Sequence, residues 1–167
     1  MEKDNYTLGV IGGMGPKATA YFYNRLIEKT VAKEDQDHIN TIILNHATMP
    51  DRTESILSGE EKPVRDLLIQ DAKTLEELGV DIIAIPCNTS HYFWKDIQKS
   101  VDITVINMIE EVFNNIGKLD KVGVLATNGT IKTGVYENEA KKYDVEVVYP
   151  NKQDQDLVMK VIYDFVK

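Results

Sequence analysis

Two spacings of apolar residues alternate along the chain. Short continuous or alternating apolar runs predict strands over 7–11, 38–44, 82–85, 103–106, 121–126 and 145–149. Between them apolar residues recur three and four apart. Ala18, Tyr21, Phe22, Leu26 and Ile27 predict a helix over 17–30. Val64, Leu67, Leu68, Ala72, Leu75 and Leu78 predict one over 63–78. Leu157, Val158, Val161, Ile162 and Phe165 predict a last helix over 154–166, and shorter ones are expected over 92–99, 108–116 and 131–143. Residues 45–53 and 127–130 read as loops, and Glu54, Glu60 and Glu61 as part of a charged, solvated loop. Strands alternating with helices predict an α/β protein with mainly parallel sheets flanked by helices.

The punctuation adds a repeat. Gly9-Val-Ile-Gly-Gly-Met-Gly15 aligns with Gly123-Val-Leu-Ala-Thr-Asn-Gly129 at an offset of 114 residues, each at the end of a strand and before a helix. The same offset carries Cys87 to about residue 201, beyond Lys167. The expectation is two pseudo-symmetric lobes, 1–101 and 102–167, the second incomplete.

Composition narrows the function classes. A net charge of −8 without a Lys/Arg cluster argues against nucleic acid as a partner. No apolar run approaches the length of a membrane span, and the start of the chain is polar. One cysteine excludes an internal disulfide and a thiolate-rich metal site, and suits a reducing cytoplasm. His38, His46 and His91 have no metal-ligand spacing, so no metal is expected.

That cysteine is the candidate centre of chemistry. In Ile85-Pro-Cys-Asn-Thr-Ser-His91 the proline ends a buried strand, and Asn88, Thr89 and Ser90 are residue types that cap helices. A lone cysteine is often only a small buried hydrophobe. This one sits where a strand turns into a helix, the edge at which open α/β sheets bind ligands. Unpaired N–H groups at a helix start favour a thiolate there. Four residues on, His91 is either structural or polarises the site, as a proton relay or by orienting a ligand.

Other groups converge on the same edge. Arg52 follows the second strand, where a guanidinium can grip a carboxylate through two parallel hydrogen bonds. Thr127, Asn128 and Thr130 follow the strand that opens the second half, and offer donors for another carboxylate or plain helix capping. Gly13-Met-Gly-Pro-Lys-Ala18 has the form of a dinucleotide fingerprint, but the acidic residue expected at the end of the second strand is absent. A glycine turn that brings N–H groups to a small anion is the better reading.

Gly12-Gly-Met-Gly-Pro16, Met49-Pro-Asp-Arg52, Pro86-Cys-Asn-Thr-Ser-His91, Ala126-Thr-Asn-Gly-Thr130 and Ile162-Tyr-Asp-Phe-Val-Lys167 fall in order along the chain. Together they resemble the cofactor-independent aspartate/glutamate racemases of the aspartate/glutamate/hydantoin racemase superfamily. The resemblance implies two lobes with the active site between them, a homodimer, and an amino-acid substrate, aspartate or glutamate. It also implies inversion at the α-carbon by two cysteines on opposite faces, without pyridoxal phosphate or any other cofactor. Cys87 matches the first cysteine and Arg52 the carboxylate-binding arginine. Lys167 matches a substrate-contacting lysine. Met14, Asn88, Thr89, Ser90, Thr127 and Thr130 match the groups around the substrate. The second cysteine would lie beyond Lys167, so impaired activity is expected of these 167 residues. Two alternatives follow from a single thiol: a decarboxylase or isomerase acting on one face of a dicarboxylate, or a non-catalytic dicarboxylate-binding module.

Overall fold

The computed structural model describes residues 6–166. The first strand, β1 (Thr7–Gly12), lies at the centre of the larger sheet. It pairs in parallel with β2 (Asn40–Asn45) and with β3 (Ile82–Ala84), and β3 pairs in parallel with β4 (Thr104–Val105). The order is β2-β1-β3-β4. Helix α1 (Pro16–Lys29) connects β1 to β2, and α3 (Lys62–Glu77) leads into β3. Between them lies α2 (Arg52–Ser58). A five-residue 3-10 turn, Thr89–Phe93, and the short α4 (Trp94–Gln98) lead into β4.

Side chains of β1 alternate between two cores, as the pleat of a strand requires. Leu8 and Val10 face α1 and pack with Phe22, Leu26 and Ala84. Ile11 faces the opposite side and joins Val64, Leu68, Leu75, Ile83, Phe93 and Ile97 under α3 and α4. Each fully buried leucine or isoleucine there contributes roughly 1.5–3 kcal/mol. A side chain at Gly9 would meet Val80 at 2.9 Å and Leu75 at 3.1 Å, so glycine lets α3 sit close to the strand.

A second, two-stranded sheet pairs β5 (Lys121–Gly123) in parallel with β6 (Glu146–Val148). Helix α5 (Met108–Asn115) precedes β5; α6 (Asn128–Thr133) and α7 (Val135–Ala140) lie between the strands. Ile109, Phe113 and Ala140 are its buried core, with Val122, Val147 and Tyr136 packed against them. Helix α8 (Lys152–Val161) follows and ends in a wider turn, Ile162–Val166. The element order β5-α6-α7-β6 parallels β1-α1-β2, and in each the two strands pair in parallel.

Several elements differ from the expectation. Residues 52–58 form α2, not a loop, and Glu54 belongs to its first turn. The Asp51 carboxylate accepts the Glu54 N–H at 2.9 Å, and Gly59 ends the helix at φ 83°. Asp51 followed three residues later by Glu54 is a capping signature that could have located it. The helix expected over 131–143 starts earlier, at the Thr127 cap, and breaks at Gly134, whose φ is 63°. Strand β4 joins the first sheet, so that sheet extends past the expected division at residue 101.

Candidate functional site

Strands β1, β2 and β3 run in parallel, so the loops after Gly12, Asn45 and Ala84 leave from one edge. That edge brings Met14, Arg52 and Cys87 into one region. The loops are locked to one another. Gly13, at φ 87°, packs so closely that a Cβ would lie 2.5 Å from the His46 carbonyl carbon. Its N–H donates to Thr19 Oγ1 at 2.9 Å, so it is not presented to an anion as expected from the sequence. His46 donates its backbone N–H to the Gly12 carbonyl, and its Nδ1 meets the Asp71 carboxylate of α3 at 2.9 Å.

Arg52 is 7% exposed at the start of α2. Its Nη1 donates to the Met49 and Pro50 carbonyls at 3.3 and 2.9 Å, and its Nη2 to the Met14 carbonyl at 3.2 Å. Its Nε–H is buried without a partner. No carboxylate pairs with it among the described residues. A buried guanidinium held only by carbonyls keeps its full charge without a counter-ion, a costly state unless an anion completes it.

Cys87 is half-buried in the turn after β3, against the core under α3 and α4. Its N–H donates to the Ile85 carbonyl at 2.8 Å. His91 Nδ1–H donates to the Cys87 carbonyl at 2.8 Å, and its Nε2 accepts the Met108 N–H at 3.1 Å. Both ring nitrogens are therefore engaged by backbone, which assigns the neutral tautomer. Burial pushes the His91 pKa below its usual value. Of the two readings offered by the sequence, the structural one holds: His91 ties the cysteine turn to the start of α5. The element after Cys87 is a 3-10 turn rather than a long helix, so its dipole is short.

The threonines form a buried cluster. Thr53 Oγ1 donates to Thr127 Oγ1 at 3.1 Å. Thr89 Oγ1 lies 3.1 Å from Thr127 Oγ1 and 3.0 Å from Thr130 Oγ1. Thr127 also caps α6 by accepting the Thr130 N–H at 3.2 Å. A Cβ on Gly129 would sit 2.8 Å from Thr53 Cα, so α2 and α6 meet almost backbone to backbone. Ser90 is fully buried and donates to the Met14 sulfur at 3.4 Å. Asn88 accepts from the Tyr136 hydroxyl at 2.5 Å. Lys167 lies outside the described residues.

Thr53, Tyr136 and Gln155 were not singled out by sequence. Gln155 on α8 donates to the Ala126 carbonyl and to Asn128 Oδ1, both at 2.9 Å, and so fixes the loop after β5. No local pattern marks it. A groove of about 620 Å³ lies on the α1 side of the sheet, lined by Leu8, Phe22, Ile82, Ile106 and other apolar residues. Its lining also includes Gln36, Asp37, His38, Asn40 and Glu111, and it contains neither Arg52 nor Cys87. Among the described residues no three His, Cys, Asp or Glu side chains are grouped to hold a metal ion. Among the described residues no helix is long and apolar enough to cross a membrane either.

The parallel α/β sheet thus gathers a free thiol, a buried arginine and threonine hydroxyls at one edge. The family described as Asp/Glu/Hydantoin racemase matches residues 11–167, and the chain belongs to it. It is 30% identical over 153 residues to the broad specificity amino-acid racemase RacX of Bacillus subtilis, covering 89% of this chain and 66% of that protein. The fold matches the Picrophilus torridus aspartate racemase with a TM-score of 0.83 and 35% identity, covering 95% of this chain and 67% of the other. An aspartate racemase homologue from Pyrococcus horikoshii matches with a TM-score of 0.75 and 28% identity, over 95% of this chain and 70% of the other. The chain thus spans about two thirds of the length of these three relatives.

Proposed function

We propose that the chain carries one half of the machinery of an amino-acid racemase acting on aspartate or glutamate, without pyridoxal phosphate or another cofactor. The observation that carries the reading is Arg52, a buried guanidinium with an unpartnered Nε–H and, among the described residues, no carboxylate partner. A substrate carboxylate supplies the missing charge. Cys87, as thiolate, then takes the α-proton: the C–H bond breaks, S–H forms, and the electron pair moves into the adjacent carboxylate. Arg52 and hydroxyl and amide donors from Asn88, Thr89, Ser90, Thr127 and Thr130 stabilise that growing charge. Met14 shapes the floor and holds Arg52 through its carbonyl. Lys167 is assigned a substrate contact by resemblance alone.

The two sheets are read as the two lobes of such an enzyme, flanking the substrate, in a cytoplasmic homodimer. Inversion needs an acid on the opposite face, and Cys87 is the one cysteine of the 167 residues. With a single thiol, wash-in of deuterium into one enantiomer without inversion is the expected behaviour.

The test is solvent deuterium exchange at the α-carbon of each aspartate and glutamate enantiomer, followed by NMR. Cys87→Ser is expected to abolish exchange while binding persists. Arg52→Lys is expected to weaken binding about 10- to 100-fold, since a lysine cannot reproduce the planar fork. Exchange that survives Cys87→Ser sinks the catalytic assignment. Loss of carbon dioxide from a dicarboxylate would instead favour the single-thiol decarboxylase.

A further inference from the structure

Four threonines meet between the two sheets, and the count of their protons gives the cluster a direction. We propose that Thr53 is a positioning residue: its hydroxyl orients the chain Thr53→Thr127→Thr130→Thr89, so that Thr89 presents its proton to a carboxylate oxygen of the ligand. This rests on the anion-binding reading above and adds both a residue and a polarity to it.

A threonine hydroxyl has one proton to give and two lone pairs to receive. Thr127 Oγ1 accepts from Thr53 Oγ1 at 3.1 Å and from the Thr130 N–H at 3.2 Å. Both of its lone pairs are then occupied, so its single proton goes to one of the two remaining neighbours, Thr130 at 3.2 Å or Thr89 at 3.1 Å. Thr130 and Thr89 share one bond, at 3.0 Å. The chain therefore has a proton left over at its far end. Thr130 is 0% exposed, whereas Thr89 keeps 7% and lies two residues from Cys87, so the open end is Thr89. A nearly buried O–H without an acceptor is unfavourable, and an anionic oxygen relieves it where an ammonium group does not.

Without the Thr53 hydroxyl, Thr127 regains a free lone pair. The Thr130 proton can then turn back to Thr127, and the Thr89 proton turns towards Thr130. Thr89 would offer a lone pair to the site and repel a carboxylate. Thr53 is suited to the role because it cannot shift: α2 holds it against the α6 backbone at Gly129.

The test has two arms. Calorimetric titration with aspartate compares the wild type with Thr53→Val and Thr53→Ser. Thr53→Val keeps the shape and removes the hydroxyl, and is expected to weaken aspartate about tenfold. Thr53→Ser restores the hydroxyl and is expected to bind within about twofold of wild type. Equal binding by wild type and Thr53→Val overturns the proposal. So does a Thr53→Ser loss as large as that of Thr53→Val, which would mark a packing role. Neutron diffraction on deuterated wild-type crystals reads the chain directly, whether or not a variant folds. A Thr89 deuteron directed at Thr130 overturns the direction. If the wild type takes up neither aspartate nor glutamate, the functional reading falls with the ligand half of this proposal, and the neutron map alone decides the polarity.

Discussion

The four-stranded sheet and the two-stranded sheet follow the same β-α-β plan, yet they are packed very differently. In the first, β1 is flanked on both edges and covered on both faces, and Val10 and Ile11 are completely buried. In the second, each strand is three residues long and has one open edge. Its outer face carries the exposed pair Lys121–Glu146, at 2.9 Å. Two paired strands are marginal alone, and here they depend on the α5–α7 cluster around Phe113. Both nevertheless deliver side chains to the candidate site. The first supplies Arg52, Cys87 and Thr89; the second supplies Thr127 and Thr130. The two sheets are thus unequal: the first carries the larger core, and the second completes the polar surroundings of the candidate site.

The largest expected effect tests that inequality in the cores. Leu68→Ala, under the first sheet, should cost about 2–5 kcal/mol in urea unfolding. Val147→Ala, half-buried on β6, should cost only about 1 kcal/mol. Similar losses at both positions would erase the distinction. Next comes the seam. Gly129→Ala pushes a methyl into the Thr53 backbone and should cost about 1–3 kcal/mol. Its sign is faster amide exchange in α2 and α6 together, with β1 unaffected. If α6 alone speeds up, the two helices are not packed as one unit.

A smaller effect concerns His91, which links the cysteine turn to α5. Its folded pKa lies below the ordinary value of 6.5 because burial disfavours the charged ring. Above that value both folded and unfolded states are neutral and nothing is gained or lost. As pH falls below it, the unfolded chain takes up a proton that the folded one refuses, so stability declines towards pH 5. Thermal unfolding across pH 7.5 to 5 should show this decline, and His91→Gln should flatten it. The smallest effect belongs to the second sheet's outer face: Lys121→Ala should change stability by no more than about 0.5 kcal/mol. A larger loss would mean that the exposed pair helps hold the strands together.

Much of this was legible in one dimension. Buried runs and helical spacing placed β1, β3, α1 and α3, because each element must turn apolar residues to a core at a fixed period. The Gly9–Gly15 and Gly123–Gly129 repeat pointed to two matched units. Helix α2 was overlooked because Arg52, Thr53 and Ser55 look polar and loop-like, although packing buries all three. Gly134 splits the helix after Thr127 because it adopts a left-handed conformation within an otherwise helical pattern. Gln155 and Tyr136 gave no signal, since their partners are side chains and carbonyls distant in sequence.

By itself the sequence determined the periodicity, the parallel α/β plan and the residue types gathered at the strand ends. These follow from local rules: apolar spacing, capping residues, and proline and glycine at turns. Only the tertiary structure decided how those residues are engaged. Among the described residues it left the Arg52 guanidinium buried against carbonyls, fixed His91 as a neutral strut, and set four threonine hydroxyls from three segments within hydrogen-bond reach. Each of these depends on distances between segments far apart in the chain. Such distances come from how whole elements pack, and no pattern of neighbouring residues encodes them.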